Sequence, residues 1–236
     1  MKLRQIINED KEESFWKANF KDFETMTKTP DGWNFEPEIS SQEDKTITEL
    51  PYKINKVEDE CDLMGLQLEN LNNMPNECKK LILSYNNISS VATNHQIKTN
   101  ILSLKSNDPL VNLQGLQVTN LFQLSLEECK NLKTLDGLQN IKVANLILTD
   151  CPNFEDDLFK YKDNIENVEI DPTDSPNMPL VFMILYGKPQ INVNIIKSAA
   201  LKKVIQKYYE KGPTEAFDLI RELRDKHFKK AAQITK

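Results

Sequence analysis

The chain has 236 residues, is 39% apolar and 28% charged, and carries a net charge of -6. That length allows one large domain or a solenoid with covered ends, and the acidic balance argues against a general nucleic-acid binder, which usually presents a basic domain. The charge is unevenly placed: residues 1–60 hold nine Lys/Arg against fifteen Asp/Glu, and residues 186–236 hold twelve against five. The longest apolar run, Leu180–Tyr186, falls far short of the roughly 20 residues that a membrane span needs. The N-terminus turns acidic before an export signal could form, so no leader is expected. Four cysteines are too few for a disulfide scaffold, so a reduced, cytoplasmic protein is expected.

In chain order, residues 9–28 read as one amphipathic helix. Asn8 is placed to cap it, Glu9 and Asp10 suit its positive end, and Trp16, Phe20 and Phe23 recur at i, i+4 and i+7. The turn Thr29-Pro-Asp-Gly-Trp33 ends it. Residues 34–49 are polar and aperiodic and read as an extended connection, so 1–49 form an N-terminal helix plus connection. Residues 50–78 hold one or two degenerate repeats around Val57, Leu63, Leu66, Leu68 and Leu71.

Four matching segments follow: Leu81-Ile-Leu-Ser-Tyr-Asn86, Leu102-Ser-Leu-Lys-Ser-Asn107, Leu124-Ser-Leu-Glu-Glu-Cys129 and Leu146-Ile-Leu-Thr-Asp-Cys151. A weaker copy is Val168-Glu-Ile-Asp-Pro-Thr173, so the leading residues fall at 81, 102, 124, 146 and 168. With Leu-x-Leu-x-x-(Asn/Cys) repeated at 21 or 22 residues, the chain resembles the leucine-rich-repeat family. The resemblance implies an α/β solenoid over 50–175, with short parallel strands and helical or 3₁₀ returns. After the Asn/Cys position, leucines at three-residue spacing (Leu110, Leu113, Leu116; Leu132, Leu135, Leu138) suit a tight 3₁₀ return.

Residues 176–236 read as a C-terminal helical cap. Pro176 and Pro179 interrupt first, one helix runs from about 192 to 211 with Ile196, Ala200, Val204 and Tyr208 on a stripe, and Gly212-Pro213 stops it. A last helix begins near Thr214.

In a repeat of this kind the two strand leucines point inward and their neighbours outward. The resemblance makes the outward residues a concave, protein-binding face. Its candidate contact residues are Ile82, Tyr85, Ile101, Lys105, Gln123, Glu127, Glu128, Ile147, Asp150, Glu169 and Asp171. This face is graded, from Tyr85 and aliphatics beside Lys80 and Lys105 to a carboxylate cluster that would select a partner with a basic patch.

The Asn86, Asn107, Cys129, Cys151 column is expected to bond backbone groups where the chain bends, with Cys a small buried donor rather than a metal ligand. His95 and His227, the two histidines, sit in no catalytic motif, and no phosphate-binding glycine loop is present. The expectation is a non-enzymatic interaction scaffold with no cofactor and no metal. Two alternatives stand beside it. One is docking through the terminal helices. The other is a bacterial effector acting on a host protein in the host cytosol, because Glu222 and Ile234 resemble elements of C-terminal translocation signals.

Overall fold

The structure is a computed structural model that describes residues 2–42, 44–154, 161 and 163–169. The C-terminal cap, the two helices expected within it, His227, Asp171, Glu222 and Ile234 lie outside these residues.

The chain begins with helix α1 (Lys2–Asn19), followed by strands β1 (Phe20–Thr29) and β2 (Gly32–Ser41), which pair antiparallel. Two findings correct the expected helix over 9–28. Asn8 lies inside α1 rather than at its start, and Phe20 and Phe23 belong to a strand. Thr25, Thr27 and Thr29 alternate through the second half of that segment, and β-branched side chains favour a pleated strand over a helix. The hydroxyl of Thr29 donates to the Gly32 carbonyl at 2.8 Å across the two-residue turn. Gly32 has φ +132°, and a Cβ there would lie 2.6 Å from the Lys53 carbonyl oxygen, so this corner requires glycine. The expected connection over 34–49 is extended, but its first half, to Ser41, is strand β2.

From β2 to its last described strand the chain is a parallel β-solenoid. Strands β3 (Ile54–Val57), β4 (Glu60–Asp62), β5 (Lys80–Ile82), β6 (Ile101–Ser103), β7 (Leu121–Ser125), β8 (Val143–Ile147) and β9 (Ile165–Glu169) complete it. The main ladder runs β2-β4-β5-β6-β7-β8-β9, and β3 pairs with the first half of β2. Ile39, Cys61, Leu81, Leu102, Leu124, Leu146 and Val168 are successive partners in it. The repeat therefore starts two strands earlier than Leu81, and its steps range from 20 to 22 residues. A second, thinner ladder links Lys56 to Glu77 to Lys98. Beside it Asn76 Nδ2 donates to Asn55 Oδ1 and Asn55 Nδ2 to Asn34 Oδ1, both at 2.8 Å. Such stacked amides tie each turn to the last.

The core is a set of stacked columns. Cys61, Leu81, Leu102, Leu124 and Leu146 form one, and Leu63, Leu83, Leu104, Leu126 and Leu148 another, all fully buried. Since no turn can cover its own leucines, burial comes from the neighbour on each side. At the N-terminal end Trp16 is fully buried, 5.2 Å from the rings of both Phe20 and Phe35. The edges of α1 and the hairpin are joined by the Trp33 indole N–H donating to Glu12 at 2.9 Å, and by a Lys28–Glu12 ion pair.

The returns are mostly irregular; among the described residues one 3₁₀ turn is regular enough to name, Leu138–Asn140. The three-residue leucine spacing instead produces single tight bonds. Leu110 N–H donates to Asn107 O, Leu132 to Cys129 O and Leu138 to Leu135 O, at 3.0, 3.1 and 3.0 Å.

Candidate functional site: the outward face of the parallel ladder

Two columns of side chains point away from the core along the ladder. Lys80, Ile101, Gln123, Asn145 and Asn167 precede the inward leucine, and Ile82, Ser103, Ser125, Ile147 and Glu169 follow it. Ile82, Ile101, Gln123 and Ile147 are half-buried outward residues, as expected, and Glu169 is exposed. Ser84 and Ser125 are buried, because their hydroxyls bond Ser103 Oγ and Glu127 Oε2 at 2.8 and 2.7 Å.

Tyr85, Glu128 and Asp150 are not strand residues. With Ser106 they form a rim just beyond the strands, all in the left-handed region at φ 58°, 57°, 54° and 55° respectively. Gly65 holds the same slot one turn earlier at φ 75°. The geometry recurs because each of these N–H groups reaches a carbonyl of the next turn: Gly65 to Ser84, Tyr85 to Lys105, Ser106 to Glu127 and Glu128 to Thr149, at 2.8–3.1 Å. A non-glycine residue pays about 1–2 kcal/mol for this conformation.

Directly behind the rim stands the Asn/Cys column. Asn107 Nδ2 donates to the Leu83 and Leu104 carbonyls at 2.9 Å, and its Oδ1 accepts the Ile88 N–H at 3.1 Å. Asn86 repeats the pattern on the Leu63 and Leu83 carbonyls and the Leu68 N–H. Cys129 and Cys151 reproduce the donor half, from Sγ to Leu104 O at 3.2 Å and to Leu126 O at 3.0 Å. Burial pushes the thiol of Cys78 up to about 12 and that of Cys129 up to about 11.

The register brings Lys105, from one side of the expected gradient, against Glu127 and Glu128, from the other. Lys105 stands one turn from Glu127 and Glu128, with Nζ 3.0 Å from Glu128 Oε1 and 3.8 Å from Glu127 Oε1. Ser106 donates to the second Glu128 oxygen at 2.8 Å. These contacts raise the Lys105 amine and hold the Glu128 carboxyl below its ordinary range. Lys80 is likewise closed on Glu60 at 2.7 Å. Lys105, Glu127 and Glu128 are thus one ion-pair cluster across adjacent turns, separate from Lys80–Glu60, and Glu169 is an exposed carboxylate on the last described strand.

Periodicity did not single out Asp62 and Met64, whose turn begins with Cys61 in place of Leu. Asp62 is half-buried, and burial raises its carboxyl. Its Oδ1 accepts the Met64 N–H at 3.0 Å. Met64 is 46% exposed and Tyr85 49%.

Lys53 and His95 form a second titratable cluster away from this face. Lys53 Nζ donates to the Met74 carbonyl at 2.7 Å and lies 2.8 and 3.3 Å from the two ring nitrogens of His95. Near equality of those distances puts the amine against the ring face rather than on one lone pair. Burial lowers the Lys53 amine to about 8, and burial with the Lys53 charge lowers His95.

Among the described residues no three His, Cys, Asp or Glu side chains converge on one point, and no helix is long and apolar enough to cross a membrane. Trp16 and Phe20, candidates for docking elsewhere, are covered by the chain's own core. Comparison with family models, curated proteins and solved structures finds no match to this chain.

Proposed function

We propose that the chain is a non-enzymatic interaction module of the leucine-rich-repeat kind, holding a partner protein on the outward face of its parallel ladder. The observation that carries this reading is the face itself. It is a continuous ladder whose outward positions mix aliphatic, amide, hydroxyl and charged groups, with Tyr85 and Met64 exposed beside it. Several strands at about 4.8 Å spacing make a surface on the order of 20 Å wide, enough for a helix or an extended segment. Aromatic and aliphatic anchors within a polar surround are the composition of a protein interface. The repeat motif supports the family assignment, and the stacked Asn/Cys column supports it further. The partner class is a protein rather than a small molecule, because the face is open and its charges are spread along several turns.

The test is site-specific cross-linking. A photo-reactive residue placed at Ile101, on the face, should trap a discrete protein adduct in cells of the source organism or its host. The same residue at Lys133, an exposed position on the returns, should not. Adducts from Lys133 alone would move the interface off the ladder.

A further inference from the structure

The face is not uniform, and one quarter of it is built differently from the rest. Among the described residues the large exposed apolar side chains are Met64, Tyr85, Val111 and Phe122. Val111 lies on a return and Phe122 at the start of β7, so these two occupy different places in their turns, whereas Met64 and Tyr85 stand side by side just beyond the ends of successive strands. The register that joins them is firm: Leu63 N–H donates to Ile82 O at 2.9 Å and Gly65 N–H to Ser84 O at 3.1 Å. Asp62 and Ile82 are direct ladder partners between them.

Charge separates this quarter from its neighbours. Glu60 is used by Lys80, and Glu127 and Glu128 by Lys105, Ser125 and Ser106. Asp62 has no ion pair among the described residues, and its one hydrogen bond there is to the Met64 N–H. A half-buried carboxylate with spare acceptor capacity gains most from a cation that also brings apolar cover. Tyr85 adds a second signal. The previous turn shows that glycine fits its left-handed slot, yet an exposed tyrosine occupies it at φ 58°. Ser106, Glu128 and Asp150 fill the same slot on the later turns, so Tyr85 alone among them presents an exposed aromatic ring there, a side chain enriched at interface anchors.

Building on the reading of the ladder face as an interface, we propose that Asp62, Met64, Ile82 and Tyr85 form its anchor. The segment it takes is one from a partner protein that presents a Lys or Arg side chain next to a large apolar one. The cation meets Asp62 and the apolar side chain covers Met64, Ile82 and Tyr85.

The experiment pans phage-displayed random peptides against the intact chain. The enriched consensus peptide is then titrated against wild type, Asp62→Asn, Tyr85→Ser and the double variant Glu127→Gln/Glu128→Gln, with circular dichroism as the folding control. The expected consensus pairs Lys or Arg with Leu, Met, Phe or Trp. Asp62→Asn and Tyr85→Ser should each weaken it by about tenfold or more, as hot-spot truncations do, while the double variant stays within about twofold. A consensus without a basic residue, undiminished binding by the first two variants, or no enrichment at all overturns the proposal. If only Glu127→Gln/Glu128→Gln weakens binding, this anchor falls while the face reading stands; if no face variant matters, both fall. A dimer of the wild type that Tyr85→Ser abolishes would assign the patch to a second copy and overturn the partner named here.

Discussion

Replacing Asn107 by Cys is expected to destabilise the solenoid, although Cys occupies the same slot in the next two turns. Asn107 is fully buried and satisfies backbone groups of two turns with both halves of its amide. A thiol can reproduce the donor half, as Cys129 does, but it is a poor acceptor. The Ile88 N–H, itself buried, then loses its bond to Oδ1. Leu110 faces the same situation opposite Cys129 and turns back onto the Asn107 carbonyl at 3.0 Å. Ile88 cannot do this, because it lies two residues beyond Asn86 whereas Leu110 lies three beyond Asn107. An orphaned buried N–H costs about 1–3 kcal/mol. The Leu104 carbonyl keeps Cys129 Sγ and the Leu83 carbonyl keeps Asn86 Nδ2, so the donor side adds little. The expected loss is about 2 kcal/mol, which at a urea slope of about 2 kcal/mol per molar lowers the midpoint by about 1 M. Native-state hydrogen exchange at the Ile88 amide should accelerate more than at its neighbours in the ladder. Inserting one residue between Asn86 and Ile88 in the Asn107→Cys background should restore part of the stability. An unchanged midpoint together with an unchanged Ile88 exchange rate would refute the account.

Tyr85→Gly should leave stability unchanged or raise it by up to about 1 kcal/mol, because relief of the left-handed strain outweighs or offsets the extra freedom of glycine in the unfolded chain. Thermal unfolding reads this, and a clear loss would mean that the ring packs on the fold. Stability should also fall with acidification. The folded-state value of His95 is depressed, so the unfolded chain binds the proton first. Stability is therefore greatest above the unfolded value of about 6.5 and declines as pH falls through it toward the lower folded value. His95→Gln should flatten this slope in urea melts at pH 5 and pH 7.5, and an equal slope in both proteins would remove His95 as its source. All four thiols are buried, and that of Cys78 is pushed up to about 12, so none should react with a thiol reagent at pH 8 until the chain unfolds. Rapid labelling of the native protein would show that a turn opens.

The period made the ladder legible from Leu81 onward, because two inward leucines and a bend residue recur in each copy. Before that it marked a degenerate repeat within 50–78 but not its register, because Cys61 replaces the leading leucine, and it did not reach back to Ile39. The i, i+4, i+7 aromatics misled for a simple reason. Trp16, Phe20 and Phe23 all serve the core or its edge, but the chain leaves the helix after Asn19, and a hydrophobic spacing over eight residues cannot distinguish a continuous helix from a helix that joins a strand. Conversely, the pairing of Lys105 with Glu127 was present as a 22-residue offset in the repeat itself. It stayed hidden while each strand was read alone, since adjacent turns determine which charges cancel.

The change of period from 21 to 22 residues has a physical origin that links it to the Asn/Cys alternation. Where the following turn offers an asparagine, its Oδ1 captures the corner N–H and the corner is short, as at Leu68 and Ile88. Where the following turn offers cysteine, no such acceptor arrives. The corner then carries one more residue and closes on its own carbonyl, as at Leu110. Bend side chain and corner length of the preceding turn must therefore change together. A swap that alters one without the other leaves a buried amide unpaired, so this small irregularity in spacing sets which turns can be exchanged without destabilising the face they support.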